Sequence, residues 1–245
     1  MLEFLLVITA RNEEDAIAAT IKRADKVLGG LFQNYHIAVV DASSIDNTVG
    51  IVNALAEKNG RLSIITGRTP HAKGSDIMYG FSKYESRIYG FIDADMAQSL
   101  ADLPKMVKNI NATSYGAVIG SRYTGNSKIN RSKIRLAVSK SYNMMLSLLF
   151  NDHIADHQCG FKLFNRKAER LLLKHSVEAH WPWDTEAVLI CERNGINILE
   201  VPIRWHDTRA RGNIYDIKRS VKDIIIFIVP ILRMFYRFRI SRQRK

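Results

Sequence analysis

Apolar runs of strand length recur along the first half of the chain, at Phe4–Thr9, Tyr35–Asp41, Leu62–Thr66, Ile88–Ile92 and Ala117–Gly120. Segments of helical length separate them. This alternation predicts an α/β domain in which a mostly parallel sheet carries helices on both faces. Ligands of such sheets bind beyond the carboxyl ends of the strands, so the residues that follow each run are the first candidates for chemistry. They are polar. Arg11-Asn12-Glu13-Glu14-Asp15 follows the first run, with Asn12 placed to cap a helix and the acids in its first turn. Asp41-Ala42-Ser43-Ser44-Ile45-Asp46-Asn47-Thr48 follows the second and lacks the G-x-G-x-x-G of dinucleotide-binding folds, which disfavours a nicotinamide-dependent enzyme.

Asp93-Ala94-Asp95 follows the fourth run. Residues two apart in extended backbone face the same way, so both carboxylates converge just past a strand end. A hard divalent cation, Mg²⁺ or Mn²⁺, removes their repulsion and bridges the diphosphate oxygens of a nucleotide sugar. A lone Asp-x-Asp is as readily a solvated loop, and the surrounding pattern has to decide between the two.

Composition narrows the class. At 245 residues, with 47% hydrophobic residues and five prolines, the chain is long enough for one well-buried domain plus an appended segment. Cys159 and Cys191 have no closely spaced Cys or His partner and read as reduced, buried thiols. The apolar start lacks a basic leader and cleavage site, so a cytoplasmic location is expected. The net charge of +12 is concentrated at the end: Arg204 to Lys245 holds twelve Lys/Arg against three Asp. Within that tail Ile224–Leu232 is continuously apolar, yet it is far shorter than the roughly 20 residues a helix needs to cross a bilayer. The aromatics and cations that follow suit an interfacial membrane anchor; the plainer alternative is a helix packed on the body with a solvated basic end. The same charge admits a nucleic-acid-binding α/β protein, although the basic excess is interleaved with long aliphatics and no nucleic-acid motif is present.

Eight segments in order resemble family 2 glycosyltransferases, and more closely the dolichyl-phosphate glucosyltransferase and dolichol-phosphate mannosyltransferase group. They are Ala10 to Glu14, Val40 to Thr48, Lys73-Gly74, Asp93 to Met96, Gly120 to Tyr123, Asp156 to Lys162, Trp183 to Glu186 and Glu200 to Trp205. The resemblance implies a GT-A fold, Rossmann-like, over residues 1–213, with 214–245 as a basic amphipathic helix at the membrane. It places Ala10, Arg11, Glu13, Asp41, Ser44, Lys73 and Asp93 around the nucleotide, with Asp41 at the base and ribose and Lys73 near them. Asp93 and Asp95 are the expected metal ligands. Arg122, Arg135, Ser139 and Arg209 are expected at an acceptor phosphate, and Asp95 and Arg122 at the reacting centre. For Trp181, Trp183, Asp184 and Glu186 two readings stand side by side, a helix start capped by Asp184 with tryptophans in the core, or an acceptor site.

The chain departs from the family pattern at Thr9, Ser43 and Asn47, and it has Ala97 where the mannosyltransferases have Gln, with Gln98 one position late. Asp93 to Ala97 followed by Leu103-Pro104, together with Ile203-Arg204-Trp205, is more similar to the glucosyltransferase branch. The implied reaction is inverting transfer of a hexose, glucose from UDP-glucose before mannose from GDP-mannose, to a polyprenyl or dolichyl phosphate. The partners expected are a nucleotide sugar, the lipid phosphate and the cytoplasmic face of a membrane, and no nucleic acid. A family 2 transferase with a glycan hydroxyl acceptor, using Asp184 or Glu186 as base, is the runner-up.

Overall fold

Strand β1 (Leu2–Ala10) is the hydrophobic axis of the domain, with Phe4, Leu5, Leu6, Val7 and Ile8 all fully buried. Successive side chains of a strand face opposite ways, so this one run feeds two cores. The computed structural model describes residues 1–67, 72–95, 100–112, 114–130, 133–206 and 228–240. Phe4, Leu6 and Ile8 pack with α1 (Ile17–Gly29), α2 (Thr48–Ala56) and α4 (Leu103–Ala112) through Ile21, Val52 and Met106. Leu5 and Val7 meet α3 (Lys73–Ser82), α6 (Arg166–His175) and α7 (Trp183–Arg193) through Phe81, Leu172 and Trp183.

The main sheet has seven strands in the order β3-β2-β1-β4-β7-β5-β8. These are β2 (Tyr35–Asp41), β3 (Leu62–Thr66), β4 (Ser86–Asp93), β5 (Tyr115–Ser121), β7 (Phe161–Asn165) and β8 (Asn197–Pro202) beside β1. The five expected strands are present with ends within two residues of the apolar runs. All pairings are parallel except those of β7, which runs antiparallel to β4 and β5. Its direction follows from its entry point: after α5 (Lys133–Phe150) the chain returns from the ligand end, so Phe161 starts β7 opposite Ile92 near the end of β4. A two-stranded parallel ribbon, β6 (Lys128–Asn130) with β9 (Arg204–His206), stands apart from the sheet.

Register brings the ligand ends level. Thr9 pairs with Asp93 and Ala10 with Asp41, so β1, β2 and β4 finish side by side. The expected helix start at Asn12 is a correction. Helix α1 begins at Ile17 without a side-chain cap or an acid in its first turn, and Asn12 sits before it at φ +52°. Glu13 and Glu14 serve the loops instead, as described below.

The C-terminal helix, 228–235, continues into a π-helical turn, Tyr236–Ile240. Ile231 and Met234 are buried with Leu146 and Phe150 of α5 and Leu189 of α7. Arg237 donates to the Glu186 carboxylate and to the His175 carbonyl. The expected boundary at 213/214 lies outside the described residues, as does Arg209. No helix among the described residues is long and apolar enough to cross a membrane. Both cysteines are buried free thiols, and burial pushes each up to about 12.

Candidate active site

The loops after β1 and β2 are clasped into one wall by reciprocal hydrogen bonds. Asn12 N–H donates to Ser44 Oγ at 3.0 Å, and Ile45 N–H donates back to Asn12 Oδ1 at 2.9 Å. Glu13 N–H donates to Thr48 Oγ1 at 2.8 Å, Glu14 N–H to Asp46 Oδ2 at 3.1 Å, and Asn47 N–H to Glu14 Oε2 at 2.9 Å. The Asp41 carboxylate accepts from Ser44 N–H at 3.2 Å at the foot of this wall and is itself nearly buried. Ser43 stands at φ +63°, a left-handed conformation that favours glycine, so the clasp bears some backbone strain. Ala10, Arg11, Glu13, Asp41 and Ser44 are thus gathered at one end of the sheet.

Four charges alternate in the centre. Lys73 Nζ lies 3.0 Å from Asp93 Oδ1 and 3.0 Å from Asp184 Oδ2, and Lys162 Nζ lies 2.5 Å from Asp184 Oδ1. Lys162 also donates to the Cys159 carbonyl at 2.6 Å. A buried ammonium is stable only with such partners. Burial opposes the charge of Lys73, yet Asp184 and then Asp93 outweigh it and raise its pKa. For Asp184 burial is likewise outweighed, and Lys162 and Lys73 hold the carboxyl below its usual range. Lys73, which the resemblance puts near the base and ribose, therefore bonds carboxylates at the middle of the sheet.

Asp184 does not cap its helix. Pro182 occupies the cap position of α7 without a side-chain bond, and the Asp184 carboxylate turns inward. Of the two tryptophans, Trp183 is in the core, whereas Trp181 is half exposed with Lys73 Nζ 4.9 Å from its ring centre. Glu186 is fully buried and accepts from the N–H groups of Val177 and Glu178 and from Arg237.

Asp93 and Asp95 are two acids close enough to interact, with Lys73 on one oxygen of Asp93. Strand β4 ends at Asp93, and Ala94 and Asp95 form a turn instead of continuing the extended backbone expected from the sequence; Ala94 is buried and its carbonyl accepts from Thr20 Oγ1 at 2.8 Å. Burial raises the Asp93 carboxyl, Lys73 opposes that, and the charge of Asp95 adds to it. Gly160 faces this spot: a Cβ there would stand 2.1 Å from Asp93 Oδ2. No group of three or more potential ligands occurs among the described residues. Mg²⁺ is commonly held by one or two carboxylates with substrate phosphates and water completing the shell, and the pair suits that arrangement.

On the other side, Arg122 follows β5. Its Nε and Nη2 donate to the two oxygens of Asp156, each at 2.8 Å, while its backbone N–H takes Asp156 Oδ2 at 2.9 Å. The guanidinium carbon lies 4.9 Å from the Trp205 ring centre and 5.4 Å from that of Tyr123. Asp156 is in turn fixed by Glu200, which accepts its N–H at 3.0 Å. Arg135 and Ser139 are one turn apart on α5, where Ser139 Oγ donates to the Arg135 carbonyl at 2.7 Å. Tyr142, three residues on, is raised by burial and, in addition, by the charge of Asp184, so α5 passes close to the central charges. Arg209, Ala97 and Gln98 lie outside the described residues. A cavity of about 670 Å³ opens between α1 and the β6–β9 ribbon, bordered by Asp93 and by the cations of Arg23, Lys26, Lys128 and Arg204.

The model of the family "Glycosyl transferase family 2" matches residues 5–172. The chain belongs to glycosyl transferase family 2. Its family 2 relatives include glycosyltransferase AglD of Haloferax volcanii, 26% identical over 96% of this chain but only 37% of the relative. Dolichyl-phosphate beta-glucosyltransferase ALG5C of Trichomonas vaginalis is 28% identical over 84% of this chain and 61% of its own length. Dolichyl-phosphate beta-glucosyltransferase of Saccharomyces cerevisiae is 28% identical over 95% and 76%. This family 2 chain thus spans less than two thirds of two of these three relatives. Among solved structures, glucosyl-3-phosphoglycerate synthase of Mycobacterium tuberculosis with phosphoglyceric acid superposes with a TM-score of 0.71 at 16% identity, covering 94% of this chain and 80% of that one. The same synthase with Mn²⁺, UDP and phosphoglyceric acid gives 0.70 at 17%, over 94% and 78%. These superpositions, with the mostly parallel seven-stranded sheet, establish the GT-A fold.

Asp156 and Lys162 were visible in the sequence only as members of a matching segment. Their work, fixing Arg122 and Asp184, has one signal in the sequence: a lysine inside the apolar run Phe161–Phe164 demands a buried acid somewhere.

Proposed function

We propose that this chain is an inverting glycosyltransferase that moves a hexose, glucose from UDP-glucose, onto a polyprenyl or dolichyl phosphate at a membrane surface. The observation that carries the choice of acceptor is the condition of Asp184 and Glu186. Each oxygen of Asp184 is bonded to a buried lysine, and Glu186 accepts two backbone N–H groups and Arg237. A carboxylate so engaged is a poor general base. A phosphate acceptor is ionised already and has no proton to remove, whereas a sugar hydroxyl requires a base. The names of the relatives agree with the lipid-phosphate acceptor.

In this reading the clasped loops at Arg11–Glu13 and Asp41–Ser44 hold the nucleoside, and Asp41 takes the base or ribose. Asp93 and Asp95 would hold a divalent cation, which would supply charge neutralisation for the departing diphosphate. Lys73 places a second positive charge beside Asp93. Arg122, held in one orientation by Asp156, receives the acceptor phosphate together with Arg135, Ser139 and Arg209. An acceptor oxygen attacks the anomeric carbon as the bond to the diphosphate breaks in line, so an α-linked donor yields a β-linked lipid phosphate sugar. Alignment and charge account for most of the catalysis.

Peripheral attachment to the cytoplasmic leaflet completes the proposal. Met144 and Leu148 on α5 are 64% and 74% exposed, and Val229, Leu232 and Tyr236 on the C-terminal helix 55%, 62% and 57%. The two helices share a buried seam and, over residues 133–150 and 228–240, carry six Lys/Arg and no acid. Apolar groups rimmed by cations suit an anionic bilayer.

The test supplies radiolabelled UDP-glucose or GDP-mannose with polyprenyl phosphate and Mn²⁺. Label from UDP-glucose is expected in the organic phase. Label from GDP-mannose alone would reassign the sugar, and label confined to water-soluble products would favour a hydroxyl acceptor.

A further inference from the structure

One carboxylate at the ligand end has no use in the fold or in the reaction described above. Asp76, in the first turn of α3, is fully buried, and neither Oδ1 nor Oδ2 has a hydrogen-bond partner. It lies where β2 and β3 finish. A Cβ built on Gly67 would stand 2.6 Å from Asp76 Oδ1 and 2.8 Å from the Asp41 carbonyl oxygen, and Gly67 N–H donates to that same carbonyl at 2.7 Å. Only glycine leaves room there for the carboxyl. Burial first, and then the charge of Asp41, push Asp76 up to about 7. Among the other charged groups of α3 and α7, Lys73 and Asp184 are turned toward each other and away into the central network. A buried polar group without a partner costs about 1–3 kcal/mol and more when charged, so such groups are rare outside functional positions.

We propose that Asp76 and Asp41 together read the edge of the donor's nucleobase, Asp41 accepting from a ring N–H and the Asp76 carboxyl donating to the adjacent ring carbonyl. The inference rests on the donor reading above, which brings Asp41 to the base. The matching chemistry is an N–H beside a C=O, as on uracil and guanine. Cytosine and adenine present the reverse, a ring nitrogen acceptor beside an amino donor, and set like against like at both carboxyl groups. Leaving either partner unmatched in a buried site is what makes such discrimination large.

Calorimetric titration of UDP, GDP and CDP with Mn²⁺ into the full chain tests this at pH 6 and pH 8. The diphosphate titrates alike in all three ligands, so affinity ratios isolate the base. Wild type is expected to favour UDP or GDP over CDP by about tenfold or more at pH 6. That ratio should fall by about threefold at pH 8, as Asp76 ionises and loses its donor. Asp76→Ala should collapse the preference, whereas Asp76→Asn, whose amide still donates, should keep it and lose the pH dependence. A full preference in Asp76→Ala, or an unchanged pH response in Asp76→Asn, overturns the assignment. The near-isosteric Asn variant carries the test if the Ala variant does not fold. Wild type that binds no nucleotide sinks the donor reading itself, while preference lost in Asp41→Asn but kept in Asp76→Ala sinks only the role of Asp76.

Discussion

Replacing Asp184 with Ala removes the acid that neutralises two buried lysines. Its oxygens lie 2.5 Å from Lys162 Nζ and 3.0 Å from Lys73 Nζ, and Lys162 and Asp184 are both essentially inaccessible to water. Lys73 keeps Asp93 as a partner, but Lys162 is left with the Cys159 carbonyl. The stranded charge sets the penalty, so breaking one side of such a pair costs about 3–5 kcal/mol. In a domain of this size each kcal/mol moves the melting temperature by about 2–4 °C, so a fall of about 10 °C is expected. Removing the charges together, as Lys162→Met with Asp184→Leu, should restore much of the loss. The pH dependence has a definite sign. The Asp184 carboxyl is held below its usual range in the fold, so its contribution is present above the unfolded value of about 4 and is lost as pH falls through the lower folded value. Urea and thermal unfolding of the wild type, the single variant and the double variant between pH 3 and pH 8 measure all three effects. A single variant within about 1 kcal/mol of wild type at pH 7, or a double variant no more stable than the single, refutes the reasoning.

Other consequences are as specific. Gly160→Ala would bring a methyl within 2.1 Å of Asp93 Oδ2 and displace that carboxylate, so Mn²⁺-dependent UDP binding should weaken by about tenfold or more with near-normal melting; unaltered binding argues against Asp93 as a ligand. Asp95→Ala is expected to abolish transfer while leaving circular dichroism unchanged, and full activity in it would remove the metal assignment. Leu148→Asp combined with Leu232→Asp should weaken partitioning onto anionic vesicles by about tenfold and leave turnover of detergent-dispersed acceptor intact. Vesicle binding equal to wild type would place the membrane face elsewhere.

Five strands were legible in the chain because a strand covered on both faces must be apolar throughout, and that signature is local. Strand β7 was not, since five residues interrupted by Lys162 carry too little pattern and its antiparallel direction depends on where α5 releases the chain. The helix cap expected at Asn12 failed for a related reason: its side chain bonds Ile45, 33 residues away, in preference to the helix beside it. Spacing singled out Asp93 and Asp95 on the premise of extended backbone through both, whereas the strand ends at Asp93 and the next two residues turn. It could not show that Lys73 meets Asp184 across 111 residues, or that Arg122 is held by Asp156 across 34. Asp76 was hidden altogether, as an acid in the first turn of a helix has an ordinary electrostatic explanation. The amino-acid order determined which segments become strands and which polar residues follow them. Only the folded chain decided which charges meet, because a buried charge takes its partner from whatever the packing brings within about 3 Å, wherever that partner lies along the chain.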